Sequence, residues 1–222
     1  MFVNPSRWLV LLVLALLVVV TVFPGIDLTV SRWFFTAGAG FTLKELPVLE
    51  FIRHGLPPIL IGIDAFVAIL WLAGIMLKKQ FFAIDGRIPA FLLSSLAIGP
   101  GLIVNSLLKE HWGRARPSTV IEFGGHLLFT RPLVIAGQCD HNCPFSSGHA
   151  PPGYWTVAFA FLAPPRWRPH AFAAALVFGS LVGLSRIIQG GHFLSDVVYA
   201  GVVTIAVTWV LYRLILKPHR PL

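Results

Sequence analysis

The sequence predicts an all-α integral membrane protein, a bundle of six transmembrane helices built as one domain over residues 1–222. Two observations predict this class: 56% of the residues are hydrophobic while 12% are charged, and the mean hydropathy is +0.81. A soluble domain carries about 25% charged residues. The chain therefore has too little polar surface for a soluble globule, a disordered chain or a disulfide-rich secreted module.

Six apolar runs of about 20 residues supply the predicted helices, because this length crosses the hydrocarbon core of a bilayer. They cover residues 8–23, 56–77, 88–108, 149–165, 170–188 and 193–216. The first run follows Arg7 as the core of a signal peptide would. No small-residue cleavage site comes after it, and Pro24-Gly25 ends it, so we expect an uncleaved helix.

The basic residues indicate how the bundle is oriented. An even number of spans places both termini on one side, and the segments of that side are mostly short and poor in acidic residues. Those segments contain Arg7, Lys78, Lys79, Arg87, Arg166, Arg168, Arg213, Lys217 and Arg220. We therefore expect both termini in the cytoplasm and the opposite loops in the periplasm.

Two loops lie on the opposite side. Residues 27–55 mix apolar and charged positions, and fit equally well a segment in the membrane interface, with Trp33, Phe34 and Phe35 against lipid, or a plain connection. Residues 118–148 are too many for a passive connection. The formal charge of +8 is carried by single basic residues between apolar runs. This favours membrane lipids and an anionic substrate over nucleic acid as partners.

Three polar clusters fall at the predicted periplasmic ends of the helices, at residues 109–117, 147–149 and 185–196. Ionisable groups at the membrane edge are costly, so their convergence predicts a functional site. Lys109, Arg116 and Arg186 are cations suited to phosphate oxygens, although any one of them alone fits an interfacial anchor.

The second cluster predicts an anion-binding turn. Ser147 and Gly148 precede Pro151-Pro152, and proline is favoured in the first turn of a helix. Free backbone N–H groups at a helix N-terminus bind anions. Simple N-capping by Ser147 is compatible with the same arrangement.

The third cluster predicts a nucleophile. His192 and Asp196 are four residues apart and share one face if they are helical. The carboxylate would then fix the imidazole tautomer and stabilise a cationic covalent state. A purely structural His–Asp pair is the alternative.

The order K-x6-RP, SGH and SR-x5-H-x3-D resembles the three-part signature of the type 2 phosphatidic acid phosphatase superfamily. The match runs through Lys109–Pro117, Ser147–His149 and Ser185–Asp196, with Ser146 where that family usually has proline. The stretch CDHNCPFSSGHA resembles the bacterial lipid A phosphatase branch of the family.

The resemblance implies a metal-independent lipid phosphatase without a cofactor. By it, His192 forms a phosphohistidine, Asp196 orients His192, and His149 protonates the leaving group and then activates water. The phosphoryl oxygens would be held by Lys109, Arg116, Ser147, Gly148 and Arg186. Positioning and charge stabilisation dominate phosphoryl transfer, so cations and helix N–H groups can replace a metal.

Cys139 and Cys143 are the two cysteines of the chain. In an oxidising periplasm they could form a disulfide before the phosphate-binding turn. Free thiols, or a zinc site that includes His141, are the alternatives.

The predicted protein is thus a bacterial inner-membrane lipid phosphatase whose active site faces the periplasm, with no obligate protein partner. Its substrate could be lipid A 1- or 4′-phosphate, undecaprenyl pyrophosphate, phosphatidylglycerophosphate or phosphatidate. The alternatives are a phosphotransferase with the same site, an inactive transporter or scaffold, and a haloperoxidase. The last two fit the intact motifs and the membrane spans poorly.

Overall fold

The computed structural model describes residues 7–79, 85–108, 111–139 and 150–216. Within these ranges the chain is helical and forms no strand, and two isolated bridges join Thr36 to Gly40 and Val120 to Leu127. The prediction of an all-α protein is therefore confirmed for the described part of the chain.

Nine α-helices make up this part of the chain. They are α1 (Arg7–Val22), α2 (Gly25–Arg32), α3 (Pro47–His54), α4 (Leu56–Leu77), α5 (Arg87–Leu96), α6 (Ala150–Trp155), α7 (Val157–Leu162), α8 (Arg168–Ile188) and α9 (Leu194–Leu211). Two π-helical segments continue α5 and α9, at Ala97–Leu108 and Tyr212–Leu216. Two 3₁₀ turns, Pro117–Thr119 and Ile121–Phe123, lie in the loop after the first π-helix.

Within the described residues, four segments are long and apolar enough to cross a membrane, and α1 with α2 makes a fifth if that bent pair counts as one span. The four are Pro47–Leu77, Arg87–Leu108, Arg168–Ile188 and Leu194–Leu216. The predicted run at 149–165 contains α6 and α7, which are separated at Thr156. These two helices rise about 20 Å together, short of a hydrocarbon core of about 30 Å. A sixth span therefore stays a prediction.

Residues 27–55 are more than a plain connection, because they include most of α2 and the whole of α3. The chain turns by 86° between α1 and α2, at Pro24-Gly25, and α2 buries Asp27 and Ser31. Trp33 is 72% exposed, as expected of a residue against lipid. Phe35 instead packs on the rings of Phe41 and Phe123, with centroids 5.6 and 5.1 Å away.

Phe34 is also packed inward, against the same aromatic cluster. Of the three aromatic residues that the interfacial alternative placed against lipid, Phe34 and Phe35 are thus packed partly inside the protein. The hydrophobic cluster that they join is close to His192 in the chain, because Phe193 is one of its members. Its buried members are Phe41, Ala115, Val120, Phe123 and Phe193.

The π-helix after α5 has a local cause. Pro100 lacks an N–H and its ring excludes the carbonyl one turn earlier, so the backbone widens around it. Asn105 donates a side-chain hydrogen bond of 2.8 Å to the Pro100 carbonyl. This segment packs against α9 and α6.

Helices α8 and α9 approach closely enough to fix the short turn between them. A Cβ atom on Gly183 would lie 2.2 Å from a methyl group of Val197, so only glycine allows this contact. Small residues let membrane helices pack closely. The turn at residues 189–193, which carries His192, is held by this contact at one end of the bundle.

Candidate active site

The turn between α8 and α9 places His192 and Asp196 together. Asp196 lies in the first turn of α9, where one of its carboxylate oxygens accepts the Phe193 N–H at 2.8 Å. The same oxygen, Oδ2, is 4.0 Å from His192 Nδ1. Both side chains are buried, with His192 4% and Asp196 0% exposed. His192 precedes the helix, so the pair meets through this turn and not through one helical face.

A polar cavity of about 320 Å³ lies at the end of α8. Its walls include the two predicted phosphate ligands that the structure describes, Arg116 and Arg186, together with Gly191, which precedes His192 in the chain. Arg116 comes from the loop before the first 3₁₀ turn and Arg186 from the last turn of α8. The fold thus brings together residues that are far apart in the sequence.

Arg53 of α3 also lines the cavity, as do Lys44 and Glu50. Arg53 is 3.4 Å from the Glu50 carboxylate. The Nε atoms of Arg53 and Arg186 are buried and have no hydrogen-bond partner among the described residues. Lys44, Glu50 and Arg53 lie in the segment that was expected to be an interfacial or connecting loop, so none of the three was predicted to be near the site.

The arginines of the cavity repel one another. Burial lowers the pKa of Arg116, and the positive charge of Arg53 lowers it further. An anion in the cavity would offset the repulsion from Arg53 and raise the pKa of Arg116, because it would be attracted to both guanidinium groups. The cavity is therefore suited to an anion with several oxygens, such as a phosphate group.

Gln189 holds Arg186 in place. Its Oε1 accepts a hydrogen bond from Arg186 Nη1. Its Nε2 donates to the Glu50 carboxylate at 2.8 Å and to the Lys44 carbonyl at 2.9 Å. The amide thus connects the end of α8 to α3, and it orients the guanidinium that faces the cavity.

Behind His192 lies a buried ionic network centred on Arg114, which sequence reasoning did not assign. Arg114 Nη1 is 2.5 Å from Asp196 Oδ1, and Nη2 is 2.8 Å from Asp27 Oδ2. Nε donates to the Thr130 carbonyl at 2.8 Å. The guanidinium also faces the Phe193 ring, 4.5 Å from its centroid.

Together, the two carboxylates of this network affect the pKa of Arg114 more than burial does. Burial alone would lower the pKa of Arg114, but attraction to Asp196 and Asp27 and hydrogen bonds to both raise it above its ordinary value. Arg114 was hidden in the sequence because it falls between Lys109 and Arg116, inside a motif whose assigned cations are those two residues.

Several predicted site residues lie outside the described residues. They are Lys109, Ser147, Gly148 and His149, and Cys143 belongs to the same group. Cys139 is disulfide-bonded. Its pairing with Cys143, like the roles of the other four residues, stays a prediction.

This geometry combines an arginine-lined cavity with a buried imidazole whose Nδ1 faces a carboxylate. The 4.0 Å separation is longer than a hydrogen bond, but a carboxylate this close favours positive charge on the ring. The cavity can therefore bind a phosphate group near the residue that the motifs predict as the nucleophile.

Comparisons with known proteins agree with this chemistry. The PAP2 superfamily matches residues 89–220. A lipid A 4′-phosphatase of Francisella tularensis subsp. novicida (strain U112) is 36% identical over 197 residues, which are 88% of this chain and 89% of that protein.

Two rhizobial proteins with the same name are similar as well. The lipid A 4′-phosphatase of Rhizobium leguminosarum is 34% identical over 83% of this chain and 84% of its own length. That of Rhizobium etli (strain ATCC 51251 / DSM 11541 / JCM 21823 / NBRC 15573 / CFN 42) is 33% identical over 82% and 76%. No solved structure matches the chain. The family match and these relatives, which cover most of the chain, show that this protein belongs to the PAP2 superfamily.

Proposed function

We propose that this membrane lipid phosphatase removes the 4′-phosphate of lipid A at the periplasmic face of the bacterial inner membrane. One observation carries the choice of substrate: all three relatives, matched over at least 76% of their own length, are lipid A 4′-phosphatases. The arginine-lined cavity at the end of α8 supports the phosphatase chemistry.

The reaction begins with attack by His192. Nδ1 faces Asp196, so Nε2 is the nitrogen that attacks phosphorus. The new N–P bond forms as the P–O bond to the sugar breaks, and the departing oxygen takes a proton from His149. The phosphorylated imidazole carries a positive charge, which the Asp196 carboxylate stabilises.

Water then completes the cycle. His149, now neutral, takes a proton from water, the resulting oxygen attacks phosphorus, and the N–P bond breaks. Inorganic phosphate leaves and His192 is neutral again. Arg116 and Arg186, with Lys109, Ser147 and the Gly148 N–H, would balance the charge on the phosphoryl oxygens throughout.

The proposed chemistry requires no metal. Activity should therefore survive excess EDTA, and vanadate should inhibit, because it mimics five-coordinate phosphorus. Complete loss of activity in EDTA, restored by Mg²⁺ or Zn²⁺, would reject the mechanism.

The substrate is tested with purified protein and bisphosphorylated lipid A in detergent micelles. Mass spectrometry with fragmentation should show loss of the 4′-phosphate and retention of the 1-phosphate. The His192→Ala variant should release no phosphate. His170→Ala, at the opposite end of α8, is the matched control and should behave as wild type.

Other outcomes would identify other substrates or reactions. Loss of the 1-phosphate, or hydrolysis confined to undecaprenyl pyrophosphate or phosphatidylglycerophosphate, would overturn the proposed substrate. Phosphate release that depends on an added lipid or sugar hydroxyl would identify a phosphotransferase.

A further inference from the structure

Two carboxylates share a single guanidinium behind the nucleophile. Arginine and a carboxylate commonly pair through two parallel hydrogen bonds, but here the fork is divided. Nη1 of Arg114 binds Asp196, and Nη2 binds Asp27. The three side chains are at most 2% exposed.

The shared guanidinium leaves a charge imbalance. With both carboxylates ionised, the two acids and Arg114 carry one net negative charge in a site closed to water. A buried charge is costly unless another group compensates it. The ring of His192, whose Nδ1 is 4.0 Å from Asp196, is the neighbour that gains positive charge in the proposed reaction.

We propose that Asp27 is a positioning residue for phosphoryl transfer, which acts through Arg114 and Asp196. By occupying Nη2 it prevents Arg114 from closing on both oxygens of Asp196. Asp196 Oδ2 then stays directed toward His192, and the network keeps the negative charge that stabilises the phosphorylated imidazole. The inference rests on the proposed histidine mechanism, and it adds a residue from outside the matched region 89–220.

A structural role for Asp27 is the competing explanation. Its Oδ1 accepts the Ser195 N–H at 2.8 Å, and Oδ2 accepts the Ser195 hydroxyl at 2.5 Å. Asp27 therefore also fastens α2 to the start of α9. A merely structural role predicts lower stability with no specific effect on kcat.

The test compares two substitutions that weaken the same contacts. Asp27→Asn removes the charge and leaves at least one donor without an acceptor, because an amide has a single oxygen. Ser195→Ala removes hydrogen bonds to Asp27 and Arg114 and leaves every charge in place. Thermal unfolding in detergent should report a similar loss of stability for both variants.

Kinetics separate the two explanations. The assay measures kcat and KM on p-nitrophenyl phosphate and on a short-chain phosphatidate. For Asp27→Asn we expect kcat to fall by about tenfold or more relative to Ser195→Ala, as expected for one lost charge in a buried site. KM should change by less than about threefold in both variants, because the phosphate is held by other residues.

Equal kcat values in the two variants, or an effect of Asp27→Asn confined to KM, would overturn the proposal. A double variant, Asp27→Asn with Arg114→Gln, restores the net charge of the network and should recover kcat toward the wild-type value. If Asp27→Asn alone does not fold, a double variant that folds but loses kcat by more than about 100-fold overturns the proposal.

The choice of substrates also distinguishes a failure of the proposed lipid A substrate from a failure of the Asp27 proposal. A wild-type protein that cleaves p-nitrophenyl phosphate but leaves the lipid A 4′-phosphate intact would refute the proposed substrate. The Asp27 comparison would still be made on the same protein.

Discussion

Arg53 brings positive charge to the cavity from a helix outside the matched region 89–220. Arg53 and Arg116 line the same cavity, so both guanidinium groups can act on one anion, and the charge of Arg53 lowers the pKa of Arg116. A substrate phosphate would therefore be attracted to Arg53 as well as to the arginines of the motifs.

We expect Arg53→Ala to raise KM by about tenfold, which is the effect of losing one charged hydrogen bond at a partly exposed site. The fall in kcat should be smaller. Arg53→Lys should keep part of the effect, since it retains the charge and loses the planar fork. Arg131→Ala, at an exposed arginine that does not line the cavity, is the matched control. An unchanged KM in Arg53→Ala would show that the residue does not reach the substrate.

Asp196→Asn should lower kcat by a factor on the order of 10² or more, since the amide loses the charge opposite His192; the comparable change in a Ser-His-Asp triad costs about 10⁴. Both oxygens of Asp196 accept N–H groups, from Arg114 and from Phe193. One donor would be orphaned, at a cost of about 1–3 kcal/mol in the free energy of unfolding. Steady-state kinetics and thermal unfolding measure the two effects separately. A normal kcat with a much higher KM would mean that Asp196 only shapes the pocket.

At the scale of single residues, the sequence predicted those that belong to spaced motifs. His192, Asp196, Arg116 and Arg186 were predicted because their spacing is regular and their chemistry is specific, and their roles stay predictions. Asp27, Glu50 and Arg53 were not predicted, because each stands in a mixed segment and reaches the cavity or the ionic network only through contacts with distant parts of the chain.

The loop that carries Arg114 and Arg116 depends on a single glycine. Gly113 has a φ of +57°, and a Cβ atom there would lie 1.6 Å from the Ala136 carbonyl oxygen. Hydrogen bonds from Ala136 N to Trp112 O and from Gln138 N to Gly113 O hold residues 112–113 and 136–138 together. The position of both arginines follows from this close contact.

Gly113→Ala should therefore disrupt the loop, lower the melting temperature sharply and remove activity. Gly124→Ala is the control, because Gly124 also has a positive φ, +80°, but has nothing within 4 Å of the added Cβ. The free energy of unfolding of the control should fall only by the cost of placing alanine in a left-handed backbone conformation, about 1–2 kcal/mol. Equal stability of the two variants would show that the clash is relieved by a small shift of Ala136.

Helices were predicted well where hydrophobicity alone determines them. The ends of α4 and α8 agree closely with the predicted runs 56–77 and 170–188. The bend after Val22, the break at Thr156 and the π-helix around Pro100 were not predicted. These features depend on local backbone geometry and on packing with other helices, which hydropathy does not contain.

For the whole molecule, the orientation in the membrane remains to be measured. Single cysteines at Leu128 and Lys79, both exposed, would be introduced into a chain in which Cys139 and Cys143 are replaced by serine. A membrane-impermeant thiol reagent added to intact cells should label the cysteine at 128 and spare the one at 79. Labelling of both positions after permeabilisation is the control. The reverse pattern would place the active site in the cytoplasm.

The overall architecture could be inferred from composition because a bilayer restricts a chain of this hydropathy to helices. The number of spans could not be settled in the same way. α6 and α7 are apolar but short and interrupted, and α1 with α2 is apolar but sharply bent. Hydropathy treats each of these as one continuous run.

The ionic network behind His192 also has a consequence for biogenesis. Asp27 and Ser195 are separated by 168 positions in the chain, and Arg114 lies between them. During synthesis, Asp27 and Arg114 are made well before the start of α9. A chain that stops before residue 192 lacks both His192, the proposed nucleophile, and Asp196, the second carboxylate of the network. Under the proposed mechanism, hydrolysis would therefore begin only after α9 has been made and has joined α2 and the loop that carries Arg114.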